Sequence, residues 1–154
     1  MEIIEKAKAL AEEYHKGQKR NNSEEPYIIH PIAVAEMVSQ MTNDEELICA
    51  AYLHDSVEDI NKPEPEIFSL EKLKGEINSL GENVLKYVEG LTHDKSEDYN
   101  EYIQRLSKDE KLRIIKICDM IHNVTANPSE KQKEKYRKNF ITLFRYAWRD
   151  CRGC

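Results

Sequence analysis

Apolar residues recur every three or four positions along almost the whole chain, the spacing of one buried helix face. Ile3, Ala7, Leu10, Ala11 and Tyr14 begin the pattern, and Leu112, Ile115, Ile117, Met120 and Ile121 repeat it late in the sequence. Only five glycines and five prolines punctuate 154 residues, too few for the many tight turns of an all-β fold. The expected fold is an all-α bundle of roughly seven or eight helices. A chain of this length, with no repeat, low-complexity tract or linker, reads as a single domain spanning 1–154.

Local signals place the helices. The first runs from the amino-terminal end to about Gly17, and residues 18–30 are polar and then extended. Pro31 suits the first turn of a second helix, because the N–H it lacks would have no intrahelical partner. Asn43 is the expected cap of a third helix, continuous over 44–59 and apolar on nearly every side, hence central. Residues 61–68 read as a loop, Ser69 as the cap of the next helix, and Gly81 as the break before another that ends near Gly90. After a polar connector at 92–98, helices are expected over 97–107, 108–124 and 129–148. The last carries Phe140, Leu143, Phe144, Ala147 and Trp148.

The formal charge of −6 argues against a nucleic-acid partner, since such binding rests on clustered Lys and Arg. No apolar run approaches the ~18 residues of a membrane span, and the first residues do not read as a signal peptide, so a cytoplasmic setting is expected. Cys49 and Cys118 lie in apolar helical patterns and read as small buried thiols. Cys151 and Cys154 form a terminal C-x-x-C with no second pair to complete a site, and receive no role.

The chemistry concentrates in His54-Asp55-Ser56-Val57-Glu58-Asp59. On a continuous helix His54 lies over Glu58 and Asp55 over Asp59, so the segment can hold a metal and set a base beside its water. The plainer alternative is an exposed acidic helix end with one satisfied histidine. Acidic groups at a helix C-terminus oppose the macrodipole, and a bound cation relieves that. His30 precedes a helix, and Asp119 lies on an apolar helix one turn before Asn123. Two imidazoles and two carboxylates suit a divalent ion such as Mn, Fe or Zn, with positions left for water and a phosphate oxygen.

Four blocks give these residues a further context: HKGQKR from His15, EPYIIHP at 25–31, AAYLHDSVED at 50–59 and IKICDMIHN at 115–123. With a weaker VEGLTH at 88–93, they resemble the HD-domain phosphohydrolases, specifically the hydrolase domain of the RelA/SpoT alarmone enzymes and their small single-domain relatives. The resemblance covers about 5–147.

It implies His30, His54, Asp55 and Asp119 as ligands of one Mn ion, and Glu58 and Asp59 as the acidic pair that orients or deprotonates water. It implies Asn123 as a nucleotide contact and Arg20, with Lys19 and Arg137, as cations facing the substrate. The implied reaction is hydrolysis of guanosine tetra- or pentaphosphate to GDP or GTP and pyrophosphate.

The family loop R-K-S-G-E-P-Y is here one residue longer, Arg20-Asn21-Asn22-Ser23-Glu24-Glu25-Pro26-Tyr27, and lacks its second basic residue and its glycine. Hydrolysis of another nucleotide or cofactor phosphate therefore stands as an alternative, and a non-catalytic nucleotide-binding module as a second. No P-loop segment is present, so alarmone synthesis is not expected. His15 and His122 are open between a supporting role at the site and an ordinary structural one. Tyr99, Tyr102 and Arg105 are open between closing over substrate and forming a solvated helix face. Oligomeric state is not legible.

Overall fold

The computed structural model describes residues 2–21, 23–59 and 69–152. Among these the chain forms eight helices of nine or more residues and one four-residue helical turn, with no strand; a single antiparallel bridge joins Lys19 and Pro26. The all-α expectation holds. Asn22, the 61–68 loop and Cys154 lie outside the described residues. No described helix is long and apolar enough to cross a membrane.

The chain divides into two compact units, Met1–Thr92 and His93–Cys154. The first holds α1 (Glu2–Tyr14), α2 (Ile29–Ser39), α3 (Glu45–Leu53), α4 (Ser56–Asp59), α5 (Leu70–Leu80) and α6 (Glu82–Leu91). Every residue of α3 from Leu47 to Leu53 is buried, and α1, α2, α5 and α6 all pack against it. Its all-round apolar sequence requires such surroundings. Ala7 and Ala11 of α1, Val34 and Val38 of α2, Leu73 and Ile77 of α5 and Val84 and Val88 of α6 complete this core.

Capping corrects several boundaries. Asp44, not Asn43, caps α3, its carboxylate accepting from the Leu47 N–H at 3.1 Å. Ser69 caps α5 as expected. Helix α2 starts at Ile29, two residues before Pro31, because the turns His30 N–H to Tyr27 carbonyl and Ile32 N–H to Ile28 carbonyl already wind the chain. Pro31 still lies in the first turn, where no intrahelical acceptor awaits its nitrogen.

The expected helix over 44–59 is interrupted at His54 and Asp55. Two carbonyls that a continuing helix would bond are claimed by side chains: Ala51 by His54 Nδ1 at 2.7 Å, and Leu53 by Ser56 Oγ at 2.5 Å.

Gly81 joins α5 to α6 at φ +156°, and a Cβ there would lie 2.1 Å from Glu46 Oε1. Glu46 Oε2 in turn accepts from Asn83 Nδ2 at 2.6 Å.

The second unit comprises α7 (Tyr99–Lys108), α8 (Glu110–Val124) and α9 (Glu130–Arg152), each packed on the other two. Asp98 and Asp109 cap α7 and α8, and Ser129 with Gln132 forms a reciprocal capping box on α9. Its core is built from Ile103, Leu106, Leu112, Ile115, Met120 and Leu143. Arg113, 5% exposed, donates to the Ser107 carbonyl at 2.7 Å and to Asp150 at 2.5 Å, which pins α8 to α7 and α9. Of the apolar positions expected on the last helix only Leu143 is buried, while Phe144 and Trp148 are exposed.

Candidate metal centre

Three of the four expected ligands come together in the first unit. His30 sits in the first turn of α2 and His54 caps the C-terminus of α3, with Asp55 in the turn that follows. His54 Nε2 lies 3.1 Å from Asp55 Oδ2, His30 Nε2 lies 3.5 Å from the same oxygen, and the two imidazole rings are 5.3 Å apart. All three potential ligand atoms fall within 4.8 Å of one another. Donors sharing one ion sit roughly 3–4.4 Å apart, given bonds of about 2.0–2.2 Å. Both histidines are buried, and the aspartate is partly open to solvent.

The tautomer of His54 shows why this set fits a cation. Its Nδ1 can only donate to the Ala51 carbonyl, so in the neutral ring the lone pair is on Nε2. That lone pair faces a carboxylate oxygen. Two acceptors at 3.1 Å repel unless a positive charge lies between or beside them, a proton or a metal ion. A second ring nitrogen tied to a backbone carbonyl is also how metal-ligating histidines are commonly oriented. The helix end adds to this, because the last carbonyls of α3 contribute negative potential where Asp55 already carries a charge.

The remaining expected residues are each placed within their own unit. Asp119, 5% exposed, lies on α8 in the second unit, where Oδ2 accepts from Lys116 Nζ at 2.7 Å and Oδ1 from Asn123 Nδ2 at 2.8 Å. Burial pushes the Lys116 pKa down, but the charge of Asp119, with smaller contributions from Tyr102 and Tyr99, raises it well above the ordinary lysine value. Glu58 is exposed on α4, and the side chain of Asp59 lies outside the described part of the structure. Because the helix breaks at His54, the four-residue stacking expected for His54 over Glu58 and Asp55 over Asp59 does not apply.

Lys19 pairs with Glu24 inside its own loop. Arg137 pairs with Glu134 on α9 at 2.7 Å. Arg20 is half-buried, its backbone N–H donating to the Glu25 carbonyl. His15 is buried, with Nδ1 2.8 Å from Gln18 Oε1 and its ring against Tyr27. His93 is anchored to the Glu97 carbonyl, and Tyr102 is a buried core residue instead of a solvated one.

One residue of the centre escaped sequence reasoning. The hydroxyl of Tyr27 donates to Asp55 Oδ2, the oxygen that both histidines face. Its place three residues before His30 was visible; its aim at a residue 28 positions away was not.

A family model described as HD domain matches residues 7–145. A guanosine-3′,5′-bis(diphosphate) 3′-pyrophosphohydrolase of Aquifex aeolicus is 35% identical over 153 residues, covering 93% of this chain and 20% of that protein. A GTP pyrophosphokinase of Streptomyces coelicolor is 33% identical over 153 residues, covering 94% of this chain and 17% of that protein. The chain thus spans about a fifth of the length of the curated relatives it matches. The solved structure of a metazoan ortholog of SpoT that hydrolyzes ppGpp shares the fold, with a TM-score of 0.72, 24% identity, and coverage of 95% of this chain and 85% of that one. With the paired histidines and the adjacent aspartate converging as described, and a match that runs across both units, the chain belongs to the HD-domain family.

Proposed function

We propose that the chain is a metal-dependent phosphohydrolase that removes the 3′-pyrophosphate of guanosine 3′,5′-bis(diphosphate), releasing GDP and pyrophosphate. The observation that carries this reading is the His54 Nε2 lone pair opposed to Asp55 Oδ2, with His30 alongside. The names of the Aquifex and Streptomyces relatives supply the nucleotide class. The reading takes residues 1–154 as one HD phosphohydrolase domain, supported by the family match across 7–145. A cytoplasmic setting belongs to it, supported by cysteines that sit as buried thiols in apolar surroundings, Cys49 and Cys118.

His30, His54 and Asp55 would hold the ion, with Asp119 as the fourth ligand and Mn as the expected metal. A divalent ion there supplies a Lewis acid and lowers the pKa of a water. Glu58 and Asp59 would orient the attacking water and take its proton. Arg20, Lys19 and Arg137 offset phosphate charge, and Asn123 contacts the nucleotide.

A specific observation favours keeping a second substrate in view. The longer 20–26 loop brings its own counter-charge, Glu24, to Lys19, which leaves less positive potential for a guanosine phosphate. Another nucleotide or cofactor phosphate is that second reading. The test is a screen for pyrophosphate and orthophosphate release by the metal-loaded protein over a nucleotide panel, with Asp55→Ala as control. Turnover of the guanosine bis(diphosphate) supports the first reading, turnover of other phosphates alone the second. Binding without turnover contradicts both and leaves a nucleotide-binding module.

A further inference from the structure

Tyr27 is held on three sides. Its backbone N–H donates to the Gln18 carbonyl at 2.8 Å, closing a loop also tied by the Lys19–Pro26 bridge and by Arg20 N–H to the Glu25 carbonyl at 3.0 Å. Its carbonyl accepts from the His30 N–H at 2.9 Å, so the same residue starts the turn that presents the first histidine. Its ring packs against His15 with centroids 4.8 Å apart and meets His30 edge-on at 5.8 Å. His15 is itself fixed, through Nδ1 and Gln18 Oε1. The one freedom left to such a ring is where its hydroxyl points, and it points at Asp55 Oδ2.

We propose that Tyr27 is a positioning residue for Asp55, and that through it the 18–27 loop is coupled to metal binding at His30, His54 and Asp55. The inference rests on the metal-centre reading above and adds a residue and a linkage to it. Asp55 follows the end of α3, in a turn where the regular backbone no longer fixes it, so its carboxylate needs an external hold to keep Oδ2 toward both imidazoles. Carboxylate ligands are commonly held by such hydrogen bonds, and their loss costs about 10–100-fold in metal affinity. Coupling is reciprocal in free energy: if the ordered loop favours the metal, the metal favours the ordered loop. That loop carries Lys19 and Arg20, so a bound ion would also set the cations proposed to face the substrate.

The test is calorimetric titration of the metal-free protein with Mn²⁺ for wild type, Tyr27→Phe and Tyr14→Phe, alongside hydrogen exchange of the 18–27 amides with and without Mn²⁺. Tyr14→Phe is the control, because it removes another hydroxyl-to-carboxylate bond in the same unit, to Glu76 at 2.5 Å. Expected are Mn²⁺ affinity about 10–100-fold weaker in Tyr27→Phe and unchanged in Tyr14→Phe. Mn²⁺ should slow loop exchange in wild type and lose that effect in Tyr27→Phe. Wild-type affinity retained in Tyr27→Phe overturns the proposal and leaves the metal centre standing. Wild-type loop exchange indifferent to Mn²⁺ overturns the coupling even if the variant does not fold. A wild type that binds no Mn²⁺ fails the metal-centre reading itself.

Discussion

His54 Nε2 faces Asp55 Oδ2 across 3.1 Å, while Nδ1 of the same ring is committed to the Ala51 carbonyl. Neighbours in sequence are thereby set as two acceptors that need a shared positive charge. The helix break at this point makes it possible, since a continuing helix would have bonded the Ala51 carbonyl through the Asp55 N–H and left the ring to find another partner.

Metal binding should therefore stabilise the fold. Mn²⁺ at 100 times its dissociation constant adds about 2.7 kcal/mol to a native state that alone binds it. For a protein of this size that raises Tm by about 5–10 °C. Differential scanning calorimetry with Mn²⁺ and with EDTA checks it, and Asp55→Ala and His54→Ala should each abolish the increment.

Lys116→Met should destabilise the protein by about 2–4 kcal/mol, read by urea unfolding. The substitution removes the Lys116 ammonium from the Asp119 carboxylate, 7% exposed. Adding Asp119→Leu should cost less than the sum of the single substitutions, because a charge and its buried partner leave together.

Gly81→Ala should cost about 1–3 kcal/mol in the same assay. A backbone φ of +156° is strained for any side chain, and the methyl would strike the Glu46 carboxylate that holds Asn83. Nearby Gly75, inside α5, has open space around it, and Gly75→Ala should be neutral or stabilising.

Burial pushes the thiols of Cys49 and Cys118 up to about 12 and about 11, helped by nearby carboxylates. At pH 8 both stay protonated and covered, so iodoacetamide should label exposed Cys151 and spare them, as read by peptide mass mapping. The linkage has a definite sign. Above pH 9 the unfolded thiols lose protons that the native ones keep, so native stability falls as pH rises from about 9 to 11. A Cys49→Ala/Cys118→Ala protein should show a shallower fall in Tm across that window.

Much of the fold was legible because helices announce themselves locally. The all-apolar run Leu47–Leu53 required burial on every side, and Ser69 offered the only nearby cap for α5. Boundaries slipped where two residues of similar chemistry competed, as Asn43 and Asp44 did, and geometry chose the one whose oxygen reached Leu47 N–H. The break at His54 was hidden because it depends on the directions of the His54 and Ser56 side chains, which periodicity does not encode. His30, His54 and Asp55 could be found by residue type and order. Tyr27 could not, since a tyrosine beside a proline has many ordinary uses. Lys19 and Arg137 rest on charge and on the resemblance, and each meets an acidic partner, Glu24 and Glu134, whose side-chain direction the sequence does not encode.

On the proposed function, this centre cleaves the bond between a ribose 3′ oxygen and a diphosphate. Phosphorus NMR of the products formed from guanosine 3′,5′-bis(diphosphate) by the Mn²⁺-loaded protein tests it most directly. The expected products are pyrophosphate and GDP, with none formed by Asp55→Ala. Orthophosphate as the product, no product at all, or equal turnover by Asp55→Ala would contradict it.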